Sequence, residues 1–198
     1  MRKRNIRITG GALCTLAIIY YLLDLKSILA LVGAVVAHEA GHLFALKILG
    51  LRVNKFRIEA KGFCIDYCGY AGAVGHCLAA AAGPAMGFLY ALWASRLGNR
   101  MGEDWLCLSA GLSFCLSLFN LIPALPLDGG RIFMNLCCCF YGEQRGRPIC
   151  AAVSTVCGLV LLAVGTLLMY KGMGAALLIS AIWVLSFQEG VEKRLEIL

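Results

Sequence analysis

His38-Glu39-Ala40-Gly41-His42 sets two imidazoles four residues apart, with a carboxylate beside the first. On a helix, residues i and i+4 share a face, so both rings can offer a nitrogen to one metal ion. Glu39 then projects beside that ion, where a carboxylate can take a proton from water. Two core histidines bonded to backbone carbonyls would carry the same spacing. The surroundings argue against that: the motif lies inside an apolar run from Ile28 to Leu49, about the ~20 residues that span a bilayer. Ionisable groups in such a segment are expensive and mark functional sites. Gly41, inside the motif, lets another helix or a substrate come close.

A catalytic zinc takes three protein ligands and keeps one open position. The helix supplies two, and a carboxylate from elsewhere is the natural third. Of the eleven acids in the chain, only Glu39 and Asp128 fall at membrane depth on the topology below, so elimination points to Asp128. Its alternative is to cap the helix that follows it. Asn120 could donate to an oxyanion or hold a substrate strand; its alternative is a hydrogen bond between helices. His76 could be a distant ligand or a gate, or an interfacial residue at a helix start.

The elements that must position these groups are membrane spans. Hydrophobic residues make up 61% of the 198 and mean hydropathy is +0.82, which excludes an ordinary soluble domain and indicates a polytopic membrane protein. The expected fold is all-α with about six transmembrane helices, near Ile8–Leu23, Ile28–Leu49, His76–Trp93, Trp105–Ile122, Ile149–Tyr170 and Met173–Phe187. Ser27 can cap the second, and Pro84 kinks or starts a helix in the third. Between the second and third, Val53–Glu59 alternates and Phe63–Tyr67 could follow it in a small β-hairpin; an ordinary loop is the alternative. Ser95–Asp104 reads as an outer loop. Pro123 and Pro126 break the helix before Asp128, and Gly129-Gly130 permit a tight turn. Ile132–Tyr141 is too short to span, and Gly142–Pro148 reads as a polar cytoplasmic loop. The whole of residues 1–198 reads as one domain.

The net charge of +7 does not indicate nucleic acid. Arg2, Lys3, Arg4 and Arg7 precede the first span, and Arg52, Lys55, Arg57 and Lys61 follow the second. Both clusters then lie on one side, which the positive-inside rule makes cytoplasmic, as it does both termini. Anionic lipid is the expected partner of these charges. The eleven cysteines follow no ligand spacing and read as small apolar side chains kept reduced. No disulfide is expected between Cys64 and Cys68, whose loop should face a reducing cytosol.

His-Glu-Ala-Gly-His in the second span, Ala-Gly-Pro at residues 82–84, and Asn-Leu-Ile-Pro-Ala-Leu-Pro-Leu-Asp-Gly-Gly from Asn120 to Gly130 together resemble the site-2 protease family of intramembrane zinc metalloproteases. The order and spacing look most like its sporulation branch, which cleaves a membrane-associated pro-sigma factor. The resemblance implies a six-span core in a bacterial cell membrane, zinc on His38, His42 and Asp128, and Glu39 as base. Two departures stand out. Members often have Asn where this chain has Gly87, so a hydrogen bond expected there is absent. No PDZ or nucleotide-sensing domain is expected.

The expected function is a zinc metalloendopeptidase that cleaves a membrane-associated or single-span substrate, a pro-sigma or anti-sigma factor among the options, near the cytoplasmic face. Inhibitory membrane partners would restrain it. The rival readings are a zinc-binding membrane scaffold without protease activity and a metal transporter. A transporter needs further polar groups along its path, and the remaining spans offer few.

Overall fold

The computed structural model describes residues 5–8, 20–21, 23–59, 62–68, 71–172 and 174–195. They contain strands β1 (Asn5–Ile8), β2 (Arg52–Glu59) and β3 (Gly62–Cys68), and helices α1 (Leu25–Ile48), α2 (Gly72–Met101), α3 (Asp104–Asn120), α4 (Asp128–Tyr141), α5 (Glu143–Tyr170) and α6 (Ala176–Leu195). The chain divides into two compact units, Met1–Leu118 and Phe119–Leu198.

In the first unit the helices turn small residues inward and large apolar ones outward. The buried stripe of α1 is Ala30, Ala34, His38, Gly41 and Leu46, while Leu29, Val32, Val36 and Phe44 are exposed. The buried stripe of α2 includes Ala79, Gly83, Pro84, Gly87, Ala91 and Ala94. This arrangement suits lipid, where helices gain nothing from hiding leucine and associate through close packing and hydrogen bonds. The backbones of α1 and α2 approach at Gly41, where a Cβ would lie 2.3 Å from the Ala82 carbonyl oxygen. Gly41 thus admits a neighbouring helix.

Three serines fasten α3 to this pair. Ser109, Ser113 and Ser117 recur every four residues and are fully buried. The Ser109 hydroxyl donates to the Ala30 carbonyl at 2.8 Å and lies 2.9 Å from Tyr90 Oη. The Ser113 hydroxyl donates to the Gly87 carbonyl at 2.9 Å. A Cβ at Gly87 would fall 2.1 Å from Ser117 Oγ, so the space of a larger side chain there is occupied by α3.

At its C-terminal end α1 stops before Gly50, whose φ of +69° favours glycine. The Leu51 N–H returns to the Leu46 carbonyl, and Leu51 packs with Leu46 and Ala79. The strands form one sheet in the order β1-β2-β3. β2 and β3 are antiparallel, with a register shift between Val53 and Lys55. β1 runs parallel to β2, pairing Asn5 with Lys55 and Ile8 with Ile58. That pairing was not expected, because nothing local in a basic N-terminal stretch announces a partner some fifty residues away.

In the second unit α4 and α5 form a hairpin at Gly142, which has φ +76°. They are in backbone contact at Gly146, where a Cβ would lie 2.7 Å from Cys138 N. α5 meets α6 at Gly158 and Gly165. Ala124, Leu127 and Val184 form a buried cluster with Phe119, Ile122, Cys157 and Trp183 against it.

Several boundaries differ from the sequence reading. Among the described residues three helices are long and apolar enough to cross a membrane, α1, α2 and α5; α3 and the apolar part of α6 are shorter. The expected first span falls almost wholly outside the described residues. Asp24, not Ser27, is the N-cap of α1: its carboxylate accepts from the Lys26 N–H and the Ser27 hydroxyl. The Ser27 bond holds the Asp24 carboxyl below its usual range. Pro84 neither starts nor ends α2, which runs 30 residues to Met101, so the expected outer loop is mostly helix. The expected polar loop at 142–148 is likewise the start of α5, which continues through Pro148. Gly129 and Gly130 are helical rather than a turn.

Two glycines check this packing. A Cβ at Gly165 would meet the Leu178 backbone at 2.7 Å, whereas one at Gly111 would meet nothing within 4 Å. Gly165→Ala should destabilise the protein by about 1–3 kcal/mol. Gly111→Ala should stabilise it by about 0.5–1 kcal/mol through helix propensity. Thermal unfolding in detergent reads both, and effects of the same sign would contradict the packing described.

Candidate functional site

His38 is on the buried stripe of α1 and is 4% exposed; His42, one turn on, is half-buried. His42 Nδ1 lies 2.8 Å from the Ala79 carbonyl oxygen, across 37 residues of chain. A carbonyl only accepts, so Nδ1 carries the proton and Nε2 presents its lone pair. That nitrogen lies 3.3 Å from His38 Nε2, with the rings at 78° and their centroids 5.0 Å apart. Two nitrogens bound to one tetrahedral ion at ~2.0–2.1 Å are separated by about 3.3–3.4 Å. The pair therefore fits two corners of a zinc site.

The sequence did not show what holds His42. Gly83 does so by having no side chain, since a Cβ there would fall 2.2 Å from His42 Nε2. α2 thus supplies a carbonyl on one side of the ring and a gap on the other. Ala-Gly-Pro carried the signal for the gap; the carbonyl of Ala79 has no sequence signature. Glu39 follows His38 on α1 and is half-buried. His76, in the first turns of α2, is half-buried.

In the second unit, Asp128 is the first residue of α4 and is 5% exposed. The N-cap is Leu127 and uses no side chain, so Asp128 is not the cap. A carboxylate in the first turn meets the positive end of the helix dipole. Arg131, one turn on and half exposed, places Nη1 3.7 Å from Asp128 Oδ1. The segment before Asp128 folds tightly: Ala124 N–H donates to Ile122 O at 2.7 Å and Leu127 N–H to Ala124 O at 2.9 Å. A Cβ at Gly129 would lie 2.2 Å from the Leu121 carbonyl oxygen, and one at Gly130 2.4 Å from the Ala124 carbonyl carbon. The two glycines let α4 start against the segment that leads into it. Asn120, the last residue of α3, is half-buried.

The chain matches the model of peptidase family M50 over residues 96–165. A putative zinc metalloprotease of Synechocystis is 30% identical over 154 residues, covering 74% of this chain and 41% of that protein. A zinc metalloprotease of Methanocaldococcus jannaschii is 29% identical over 141 residues, covering 69% and 41%. The chain thus spans about two-fifths of the length of these relatives. The solved site-2 protease from Methanocaldococcus jannaschii has a TM-score of 0.70 and 25% identity, covering 93% of this chain and 89% of that one. The chain is thus similar to peptidase family M50 over part of its length and to a site-2 protease over most of it.

Gly83→Ala tests the histidine pair. The added methyl group must displace the His42 ring, so zinc affinity should fall at least tenfold, read by competition with a chelating dye. Unchanged affinity would show that the ring is free to move and that the gap is incidental.

Proposed function

We propose that this protein is an intramembrane zinc metalloendopeptidase. The observation that carries the reading is the convergence of His38 Nε2 and His42 Nε2 at ligand spacing, with the His42 tautomer fixed by the Ala79 carbonyl. Two imidazoles facing each other this way inside an apolar helix are costly unless they serve an ion. The zinc metalloprotease relatives and the donor set support Zn2+ as that ion.

In this reading His38, His42 and Asp128 hold the zinc. When bound, the ion supplies Lewis acidity, lowering the pKa of a water and polarising a carbonyl. Glu39 takes a proton from the attacking water and passes it to the leaving amine. Asn120 holds the substrate strand or donates to the oxyanion. The substrate must be locally unwound, since the carbonyl of a helical peptide bond is already engaged. The substrate in this reading is such a segment of a membrane-associated or single-span protein near the cytoplasmic face. The order of the motifs favours a likeness to stage IV sporulation protein FB, and so a pro-sigma or anti-sigma factor, in a bacterial cell membrane with both termini of this chain cytoplasmic.

Glu39→Gln separates this reading from a zinc-binding scaffold. The variant should keep zinc and lose about 10²–10⁴-fold in cleavage rate, the range for removing a general base. Comparative membrane proteomics of cells carrying wild type or Glu39→Gln should show single-span proteins accumulating uncut with the variant. Identical proteomes would reject the protease reading. Metal flux into proteoliposomes that depends on His38 would favour a transporter.

A further inference from the structure

We infer that Ser154, on α5, is a positioning residue for Asp128. The inference rests on the reading of Asp128 as a zinc ligand. The segment between α3 and α4 is irregular backbone among apolar helices, where each N–H needs a partner. The Leu125 N–H finds one outside the segment: it donates to Ser154 Oγ at 3.1 Å, from 29 residues away in sequence. Ser154 is fully buried, so water does not compete for that bond. One turn earlier on the same face of α5, the Cys150 thiol lies 3.8 Å from the Gly130 carbonyl oxygen, and Cys150 is 1% exposed.

The two contacts fall on either side of Asp128, at residues 125 and 130. Together they fix the backbone from which the carboxylate projects. A metal ligand must be held to a few tenths of an ångström, and groups that orient ligands typically matter 10–100-fold in metal affinity. Hydroxyl to N–H is the stronger of the two contacts, because a thiol is a weak donor. Ser154 therefore carries most of the orientation, although it lies outside every motif of the site.

The test uses the full chain in detergent, with Zn2+ affinity measured by chelator competition and the Co2+-substituted absorption spectrum as a report on ligand geometry. Ser154→Ala should weaken Zn2+ binding at least tenfold and change the Co2+ spectrum. Ser109→Ala, which removes an equally buried serine hydroxyl from α3, should leave both within twofold of wild type. Ser154→Cys keeps the volume with a poor acceptor, and should fall between wild type and Ser154→Ala. It carries the test if the alanine variant does not fold. The Leu125 amide of the wild type should be protected from hydrogen exchange, a readout that needs no variant. Unchanged affinity and spectrum in Ser154→Ala, an equal loss in Ser109→Ala, or rapid exchange at Leu125 would each overturn the assignment. Asp128→Ala separates the two levels: if it binds Zn2+ as tightly as wild type, the ligand assignment itself fails and Ser154 loses its role with it.

Discussion

One hydrogen bond joins the chemistry of this protein to its packing: His42 Nδ1 to the Ala79 carbonyl. It fixes which ring nitrogen carries the proton and in which direction the other points. It also requires α2 to approach α1 closely enough for a backbone oxygen to reach a side chain. The surrounding small residues follow from that requirement. Gly41 lets the helices touch, and Gly83 leaves the ring its place. A bulkier residue at either position would part the helices or turn the ring, and the lone pair would no longer meet that of His38.

The same economy of side chains recurs in the second unit, with a different outcome. There the glycines bring a helix start against the segment that precedes it, so that Asp128 begins α4 from a tightly folded backbone. Serine and cysteine on α5 supply from outside what that backbone lacks within itself. His42 in the first unit, and Ser154 and Cys150 in the second, are each bonded to a backbone atom. Backbone positions are set by whole helices, so ligands anchored this way inherit the rigidity of the fold.

The parts legible in the sequence were those with local period or local charge. His38, Glu39 and His42 could be placed on one helix because i,i+4 spacing is a helical address, and Asp128 could be singled out because acids are scarce in apolar segments. Helix ends were less legible. Arg96 and Arg100 look like loop residues, yet they continue α2, because polarity marks solvent and not irregularity. Glu143 to Pro148 misled for the same reason, since the helix runs through that polar stretch and its proline. Gly129-Gly130 was ambiguous in kind: glycine serves both tight turns and close approaches, and only the neighbouring Leu121 and Ala124 carbonyls decide. The parallel pairing of Asn5–Ile8 with Arg52–Glu59, the Ala79 carbonyl and Ser154 were invisible, because each acts through a partner distant in sequence and two of the three act through backbone.

Glycine inside a helix costs about 0.5–1 kcal/mol relative to alanine. The chain holds 23 glycines, and Gly41, Gly83, Gly129, Gly130, Gly146 and Gly165 all sit in helices where a methyl group would strike a neighbour. In water such helices would need a large hydrophobic core to offset the loss. In lipid an unsatisfied backbone group is so unfavourable that helices persist without good intrinsic propensity, and close packing becomes the main force between them. The bilayer therefore outweighs the penalty that opposes glycine. That freedom lets His42 be seated against the bare backbone of a neighbouring helix.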